Sequence, residues 1–115
     1  MKKLVKVMKA LSDPNRLKIL KMLQYKTMCV CELQFTLELA QSSISKHLKI
    51  LEEAELVDSR KDGLWVNYFI PKTCDNPYAE DMIKKLASWL ENESDVKTLI
   101  DRAKLADRMI ITKGK

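Results

Sequence analysis

The chain has 115 residues, of which 46% are hydrophobic and 32% are charged, and its formal net charge is +5. This length suits one domain with one core, and no apolar run approaches the roughly 20 residues that cross a bilayer. Lys6 and Lys9 interrupt the segment in which a signal peptide would be apolar, and the odd number of cysteines does not suggest disulfides, so we expect a soluble, reduced, cytoplasmic protein that does not enter a membrane.

Two helices are predicted before residue 27. The first has an apolar stripe at helical spacing, formed by Leu4, Val7, Met8 and Leu11. The second begins at Ser12-Asp13-Pro14, a cap followed by proline at a first helical position, and it carries Leu17, Leu20 and Leu23. Residues 1–26 hold eight Lys or Arg against one Asp, which indicates either a nucleic-acid contact or a solvated helix face.

A helix-turn-helix is predicted next. A short third helix carries Val30, Leu33 and Leu37 and is followed by a turn at residues 39–41. The fourth helix is capped by Gln41 or Ser42, and its inner face is formed by Ile44, Leu48 and Leu51. Polar and cationic side chains then face outward near its N-terminal end, namely Gln41, Ser42, Ser43, Ser45, Lys46, His47 and Lys49.

This outward face has the chemistry of a DNA recognition helix. Short hydrogen-bonding side chains fit between the phosphate walls of the major groove, so the serines and His47 are candidates for base or phosphate contacts. Lys46 and Lys49 are candidate anchors to the DNA backbone. His47 is the only histidine, so a zinc or catalytic role lacks partners, and the alternative to a DNA contact is a packed histidine.

A β-hairpin is predicted after the fourth helix, and it is the only sheet predicted. Asp62-Gly63 contains the one interior glycine, and Asp-Gly between extended segments is typical of a type I′ turn. Residues 56–60 lead in, residues 64–70 lead out, and Pro71 ends the second strand. Arg60 and Lys61 at the tip would contact the DNA backbone or minor groove, as a wing does.

Two further helices complete the chain. Pro77 opens a fifth helix with an apolar face formed by Met82, Leu86, Trp89 and Leu90. The sixth is marked by Val96, Leu99, Ala103 and Ile110. This order predicts a mainly α fold with one β-hairpin, a winged helix-turn-helix, in which residues 1–92 form the DNA-binding domain with its dimerisation helices. Residues 93–115 form a C-terminal helix of the same domain or of the dimer interface.

The terminal helices predict a homodimer. Each has an apolar stripe on an otherwise charged helix, as expected for packing against a symmetry mate, although helices that wrap their own domain would have the same pattern. Residues 40–72 hold five cations and five acidic residues, so their charges cancel. We therefore expect two recognition helices, with help from the lysine-rich N-terminal segments, to bind double-stranded DNA.

Cys29 and Cys31 form a candidate sensor. On an α-helix, residues two apart point about 200° apart, so the pair would bind one ion only if the start of the third helix unwound. That distortion would reach the recognition helix and favour DNA release. Two thiolates without a nearby histidine favour soft ions, which ranks As(III), Sb(III) and Cd(II) above Zn(II) and Ni(II). Cys74 is either a third thiolate, from its own or the partner subunit, or a bystander.

Four motifs together resemble the ArsR/SmtB family of metal-sensing repressors. They read LSDPNRLKIL (residues 11–20), CVCEL (29–33), SSISKHLKIL (42–51) and RKDGLWVNY (60–68), and the resemblance spans roughly residues 4–92. It implies a homodimer built from the terminal helices. Such a dimer binds an operator upstream of a resistance operon and is released by its inducer.

The arsenic-sensing branch of that family has a Cys-Val-Cys-Asp-Leu-Cys box before the recognition helix. Here residues 29–34 keep the first two cysteines and have Gln34 at the third position. Zinc-sensing relatives use histidine and carboxylate ligands after the wing, where this chain has Glu80 and Asp81 without a histidine. The resemblance therefore implies a repressor induced by As(III) or Sb(III), with Cd(II) as a further candidate and no required cofactor.

Other interpretations of the cysteine pair remain open. The two thiols could be inert, or they could sense oxidants or persulfides in the same repressor fold. A thiol enzyme is disfavoured, because Cys-x-Cys spacing comes here without a βαβ pattern and without a base to activate the thiol.

Overall fold

The described part of the chain is helical with one small sheet. The computed structural model describes residues 1–106 and contains, in that range, α1 (Lys2–Leu11), α2 (Pro14–Tyr25), β1 (Met28–Cys29), α3 (Val30–Leu37), α4 (Gln41–Glu53), β2 (Asp58–Asp62), β3 (Trp65–Phe69), α5 (Pro77–Leu86) and α6 (Ser94–Leu105). The predicted order of helices around a helix-turn-helix and a wing is confirmed. Ile110, predicted to belong to the sixth helix, lies outside the described residues.

The start of α2 is where the sequence predicts it. Asp13 is the N-cap, and its carboxylate accepts hydrogen bonds from the backbone N–H groups of Asn15 and Arg16 at 2.8 and 3.2 Å. Proline at the first helical position needs no such partner, because it has no N–H to satisfy. On α1, Val7 is buried, whereas Met8 of the same predicted stripe is 46% exposed, so the domain covers only part of that stripe.

α3 and α4 form the helix-turn-helix. The inner face of α4 is buried as predicted, through Ile44, Leu48 and Leu51. Glu38 adopts a φ of +58°, which ends α3 and turns the chain toward α4. The predicted cap of α4 is wrong, because Ala40 is the N-cap and Gln41 is already helical. Alanine has no acceptor, so no side chain caps this helix.

The sheet has three antiparallel strands in the order β1-β3-β2, rather than the predicted hairpin alone. The extra strand was missed because two residues are too few to carry a pattern of alternation. The turn also differs by one residue, since Asp62 pairs with Trp65 and the loop is Gly63-Leu64. Of these two loop residues only Gly63 has a positive φ, +61°, which is the pattern of a type II′ turn rather than type I′.

The fifth helix ends earlier than predicted. α5 closes at Leu86, so Trp89 and Leu90 lie beyond it in turns, with a φ of +66° at Leu90. The nearly buried Lys21 of α2 donates from Nζ to the carbonyl oxygens of Leu86 and Trp89, and pairs with Glu91 Oε1 at 2.7 Å. A cation from a distant helix thus binds carbonyl groups at and just beyond the end of α5 and holds the chain in its turn there.

α6 packs against α2 and α3 of its own chain. Val96 and Ala103 are buried in this packing. Arg102 donates hydrogen bonds to the carbonyl oxygens of Phe35 and Thr36, at 2.8 and 3.0 Å, near the end of α3. In the described part of the chain, no helix combines the length and the apolar character that a bilayer crossing requires.

Candidate DNA interface and thiol site

Seven candidate DNA-contacting residues lie on α4. Five of them are exposed at the protein surface, namely Gln41, Ser42, Ser45, Lys46 and Lys49. Ser43 and His47, one helical turn apart, are half-buried at the edge of the packed face. The helix therefore offers mainly hydroxyl, amide and ammonium groups to a partner, which are the groups that read base edges and bind phosphates.

His47 contacts a residue that the sequence did not single out. Arg16 Nη1 lies 3.4 Å from His47 Nδ1. The other guanidinium nitrogens donate to the C-terminal end of α1, from Nε to Ala10 O at 2.8 Å and from Nη2 to Lys9 O at 3.1 Å. No spacing pattern could link Arg16 to His47, because 31 residues separate them along the chain.

Asp13 lies beside this contact and is held in its charged form. Burial raises the pKa of its carboxyl, but the backbone N–H groups of Arg16 and Asn15 and the positive charge of Arg16 outweigh burial. The pKa is therefore lowered from its ordinary value of 3.8. The cap of α2 is ionised throughout the neutral range.

The wing carries its two candidate cations on β2 rather than in the tip loop. Arg60 and Lys61 are both exposed, but the register starts the turn only after Asp62, which corrects their predicted place at the tip. The Arg60 guanidinium lies 5.1 Å from the centroid of the Phe69 ring on β3, a cation–π contact that orients it. The tip itself presents Leu64, which is 96% exposed.

Cys29 and Cys31 lie on either side of the start of α3. Cys29 ends β1 and is the N-cap of α3, with extended backbone angles of φ −88° and ψ 170°, while Cys31 belongs to the first helical turn. Because the helix begins between the two residues, their sulfur atoms approach to 2.8 Å. The predicted separation of about 200° and the need to unwind a helix are therefore wrong, since that geometry holds only for two helical residues.

The two thiols differ in their surroundings. Cys29 is 2% exposed, whereas Cys31 is half-buried. Burial, followed by the hydrogen bond with Cys31, raises the pKa of the Cys29 thiol to about 12. The buried Glu32 accepts a hydrogen bond from the backbone N–H of Cys29 at 3.0 Å, as the reaching carboxylate of a capping box does, and so fixes the start of α3.

Cys74 lies after the wing, near the start of α5. Its Sγ is 3.6 Å from the carbonyl oxygen of Glu55 and accepts a hydrogen bond from the backbone N–H of Asn76 at 3.4 Å. Within residues 1–106, no three His, Cys, Asp or Glu side chains come close enough together to hold one metal ion. The structure therefore does not bring Cys74 to the cysteine pair within one chain.

The sheet connects the thiol site to the wing. Cys29 on β1 pairs with Asn67 on β3, and Asn67 pairs with Arg60 on β2. Paired residues lie side by side on one face of a sheet, so these three residues form one row across all three strands. The sequence did not predict this row, because the row depends on the unpredicted strand β1.

Comparisons with known proteins agree with this architecture. A family model described as bacterial regulatory protein, arsR family, matches residues 13–59, which run from the cap of α2 to the start of β2. An uncharacterised helix-turn-helix transcriptional regulator of Methanocaldococcus jannaschii is 45% identical over 69 residues, 59% of this chain and 78% of that protein. The arsenical resistance operon repressor of Staphylococcus xylosus is 42% identical over 62 residues, 54% of this chain and 60% of that protein.

The fold is also similar to that of a solved structure. HlyU from Vibrio cholerae superposes with a TM-score of 0.62 at 38% sequence identity, covering 73% of this chain and 87% of that one. The matched regions contain the helix-turn-helix that carries the candidate DNA-contacting face. The chain belongs to the ArsR/SmtB family of winged helix-turn-helix transcriptional repressors.

Proposed function

We propose that this protein represses a metalloid-resistance operon from the cytoplasm and that As(III) or Sb(III) releases it from operator DNA. The observation that carries the proposal is the pair of thiols, with sulfur atoms 2.8 Å apart, at the start of the helix that precedes the recognition helix. The similarity to a protein named as an arsenical resistance operon repressor supports it.

Two thiols suit arsenous acid better than a divalent cation. A cysteine at neutral pH is mostly the neutral thiol, so each side chain brings a proton to the exchange. Two S–H bonds and two As–O bonds break, two As–S bonds form, and the two hydroxyl groups leave as water without any oxidation. Cd(II) offers no such leaving group and must expel two protons into solvent, so it ranks below As(III) and Sb(III).

Chelation would change the spacing of the pair. Two As–S bonds of ~2.3 Å, held at roughly 100° by the arsenic lone pair, place the sulfur atoms about 3.5 Å apart, whereas they lie 2.8 Å apart here. Cys29 belongs to β1 and Cys31 to α3, and we propose that the opening displaces one of these elements. Movement of β1 would pass along the row through Asn67 to the wing, and movement of α3 would pass to α4, against which it packs. DNA contact and ligand binding then favour different arrangements, as allosteric coupling requires.

The proposed DNA-binding unit is a homodimer. Exposed apolar side chains lie on or next to the packed pair α1 and α5, namely Val5, Met8, Tyr78 and Trp89. They adjoin an open apolar groove lined by Leu11, Leu17, Met82 and Leu86. A two-fold pairing through this side would bury these residues and present two copies of α4 to a two-fold operator.

Ultraviolet absorbance tests the ligand site directly. Adding arsenite to the reduced protein is expected to raise the absorbance that accompanies As–S bond formation, with saturation at one equivalent per chain. Cys29→Ser and Cys31→Ser should each abolish the signal, whereas the matched control Cys74→Ser should keep it. Binding that survives in Cys29→Ser, or that is lost in Cys74→Ser, would contradict the two-thiol site.

The same 2.8 Å contact favours a second candidate, a repressor that senses oxidants or persulfides. Hydrogen peroxide would take two electrons from the two thiols, join the sulfur atoms as a disulfide and leave as two water molecules. Release of DNA by peroxide or a polysulfide, but not by arsenite, would select this candidate over the first.

A further inference from the structure

Arg16 joins three helices. It lies in the first turn of α2, and two of its nitrogens donate to the carbonyl oxygens of Lys9 and Ala10 at the end of α1. Its remaining nitrogen, Nη1, lies 3.4 Å from Nδ1 of His47 on α4. Because the guanidinium is planar and two of its nitrogens are already bound, the third approaches the recognition helix in a fixed direction.

A hydrogen bond in this contact favours one tautomer of neutral His47. A guanidinium has donors only and does not lose its proton in proteins, so a hydrogen bond between Arg16 and His47 requires Nδ1 of a neutral imidazole as the acceptor. A neutral imidazole with an unprotonated Nδ1 carries its hydrogen on Nε2. The two nitrogens lie on different sides of the ring, so the Nε2–H group is turned away from Arg16.

We propose that Arg16 is a positioning residue for DNA reading. It holds the ring of the half-buried His47 so that Nε2–H donates one hydrogen bond to DNA, either to N7 or O6 of guanine in the major groove or to a phosphate oxygen. Arg16 acts through His47 and does not itself touch DNA. The inference rests on the proposed DNA-binding role of α4.

Two substitutions of His47 separate its two nitrogens. Glutamine places an amide near the position of Nε2, whereas asparagine places one near Nδ1. The probe is a DNA duplex that the unaltered protein selects from a random-sequence library, and affinity is measured by fluorescence anisotropy. His47→Gln should stay within about threefold of the original affinity, while His47→Asn should bind about tenfold more weakly, because the donor to DNA is lost.

Arg16→Lys tests the positioning role without removing the hydrogen bonds to the carbonyl groups at the end of α1. A lysine ammonium can still donate to the carbonyl oxygens of Lys9 and Ala10, but it cannot also reach His47 with a planar fork. Thermal unfolding confirms that the variant is folded. In the chain that keeps His47, Arg16→Lys should weaken DNA binding about three- to tenfold. In the His47→Asn variant it should cause no further loss, because the hydrogen bond from residue 47 to DNA is already gone.

The single histidine makes a second readout unambiguous. The chain has one imidazole, so its side-chain signals in a nitrogen-15 NMR spectrum are assigned without ambiguity. These signals should show hydrogen on Nε2 and an unprotonated Nδ1. Arg16→Lys should raise the share of the form with hydrogen on Nδ1, a change that a purely structural cap would not produce.

The outcomes distinguish the inference from the function on which it rests. Equal losses in His47→Gln and His47→Asn, or an equal effect of Arg16→Lys in both His47 backgrounds, would overturn the positioning role while leaving DNA binding intact. Failure of the unaltered protein to select any duplex would instead overturn the proposed function. If His47→Asn loses affinity only for duplexes with guanine at one position, the acceptor is that guanine. If it loses affinity equally for all sequences, the acceptor is a phosphate. Either result supports the Nε2–H contact.

Discussion

The Cys29 thiol is protected in the folded protein, whereas Cys31 is more accessible. Burial and the contact with Cys31 raise the pKa of Cys29 to about 12, so its thiolate is scarce at pH 8. We expect iodoacetamide to modify Cys31 well before Cys29, as measured by mass spectrometry of the peptides. As long as the pH is below the pKa of Cys29, its modification rate should rise about tenfold for each unit by which the pH is raised, because the thiolate fraction rises in the same proportion. If the two thiols of the folded chain reacted at similar rates, as they should in denaturant, the protected environment of Cys29 would be contradicted.

Asp13 provides a test of the N-cap of α2. Asp13→Ala should lower the free energy of unfolding by about 1 kcal/mol at pH 7, measured with urea, because two backbone N–H groups lose their acceptor. The pKa of Asp13 is lowered in the folded state, so the charged carboxylate stabilises the fold above the ordinary pKa of 3.8. That contribution is lost as the pH falls through the lowered pKa.

The acid dependence and a matched control complete the Asp13 prediction. The difference between the original protein and Asp13→Ala should shrink on acidification below pH ~4. Asp13→Asn keeps a hydrogen-bond acceptor and should cost less than Asp13→Ala at pH 7. A difference that stays constant from neutral to strongly acidic pH would show that the charge of Asp13 contributes nothing.

Among the elements, local patterns were enough for the helix-turn-helix but not for β1. The helical period identified the buried face of α4 through Ile44 and Leu48, and Asp13-Pro14 marked the start of α2. β1 exists because Met28 pairs with Tyr68, a contact across the chain that no local pattern records. The spacing of the two thiols depended on this strand, since one residue more of helix would have separated them.

The end of α5 has the same kind of explanation. Trp89 and Leu90 continue the apolar spacing of Leu86, so a local pattern extends the helix through them. Lys21, which lies 65 residues before Leu86, binds the carbonyl groups there and holds the turn. Arg16 was missed for a related reason, because its role depends on contacts with two other helices.

The strand β3 offers a reporter for coupling between thiol site and wing. Trp65 lies two residues from Asn67, the partner of Cys29, and pairs with Asp62 beside the turn. The chain has two tryptophans, so in the variant Trp89→Phe all tryptophan fluorescence comes from Trp65. Arsenite should then change its fluorescence emission, because displacement of β1 moves β3. Adding Cys29→Ser should remove the change, and unaltered emission at arsenite levels that saturate the absorbance signal would exclude the sheet as the route.

For the whole molecule, the proposed dimer depends on the exposed apolar side of α1 and α5. Met8→Glu places a charge on the apolar face of α1 and should convert the proposed dimer to monomers in sedimentation velocity experiments. Leu105→Glu is the matched control, because Leu105 is also exposed but lies on α6, which packs against α2 and α3. An unaltered protein that sediments as a monomer, or equal effects of both substitutions, would contradict the proposed dimer.

The release of DNA by arsenite tests the central claim most directly. Fluorescence anisotropy of the selected duplex measures the affinity of the reduced protein with and without arsenite, for the original chain and for Cys29→Ser. The proposed mechanism predicts that arsenite weakens binding by about ten- to a hundredfold in the original chain and leaves Cys29→Ser bound. Arsenite that binds the thiols without releasing the DNA, or that releases Cys29→Ser equally well, would contradict it.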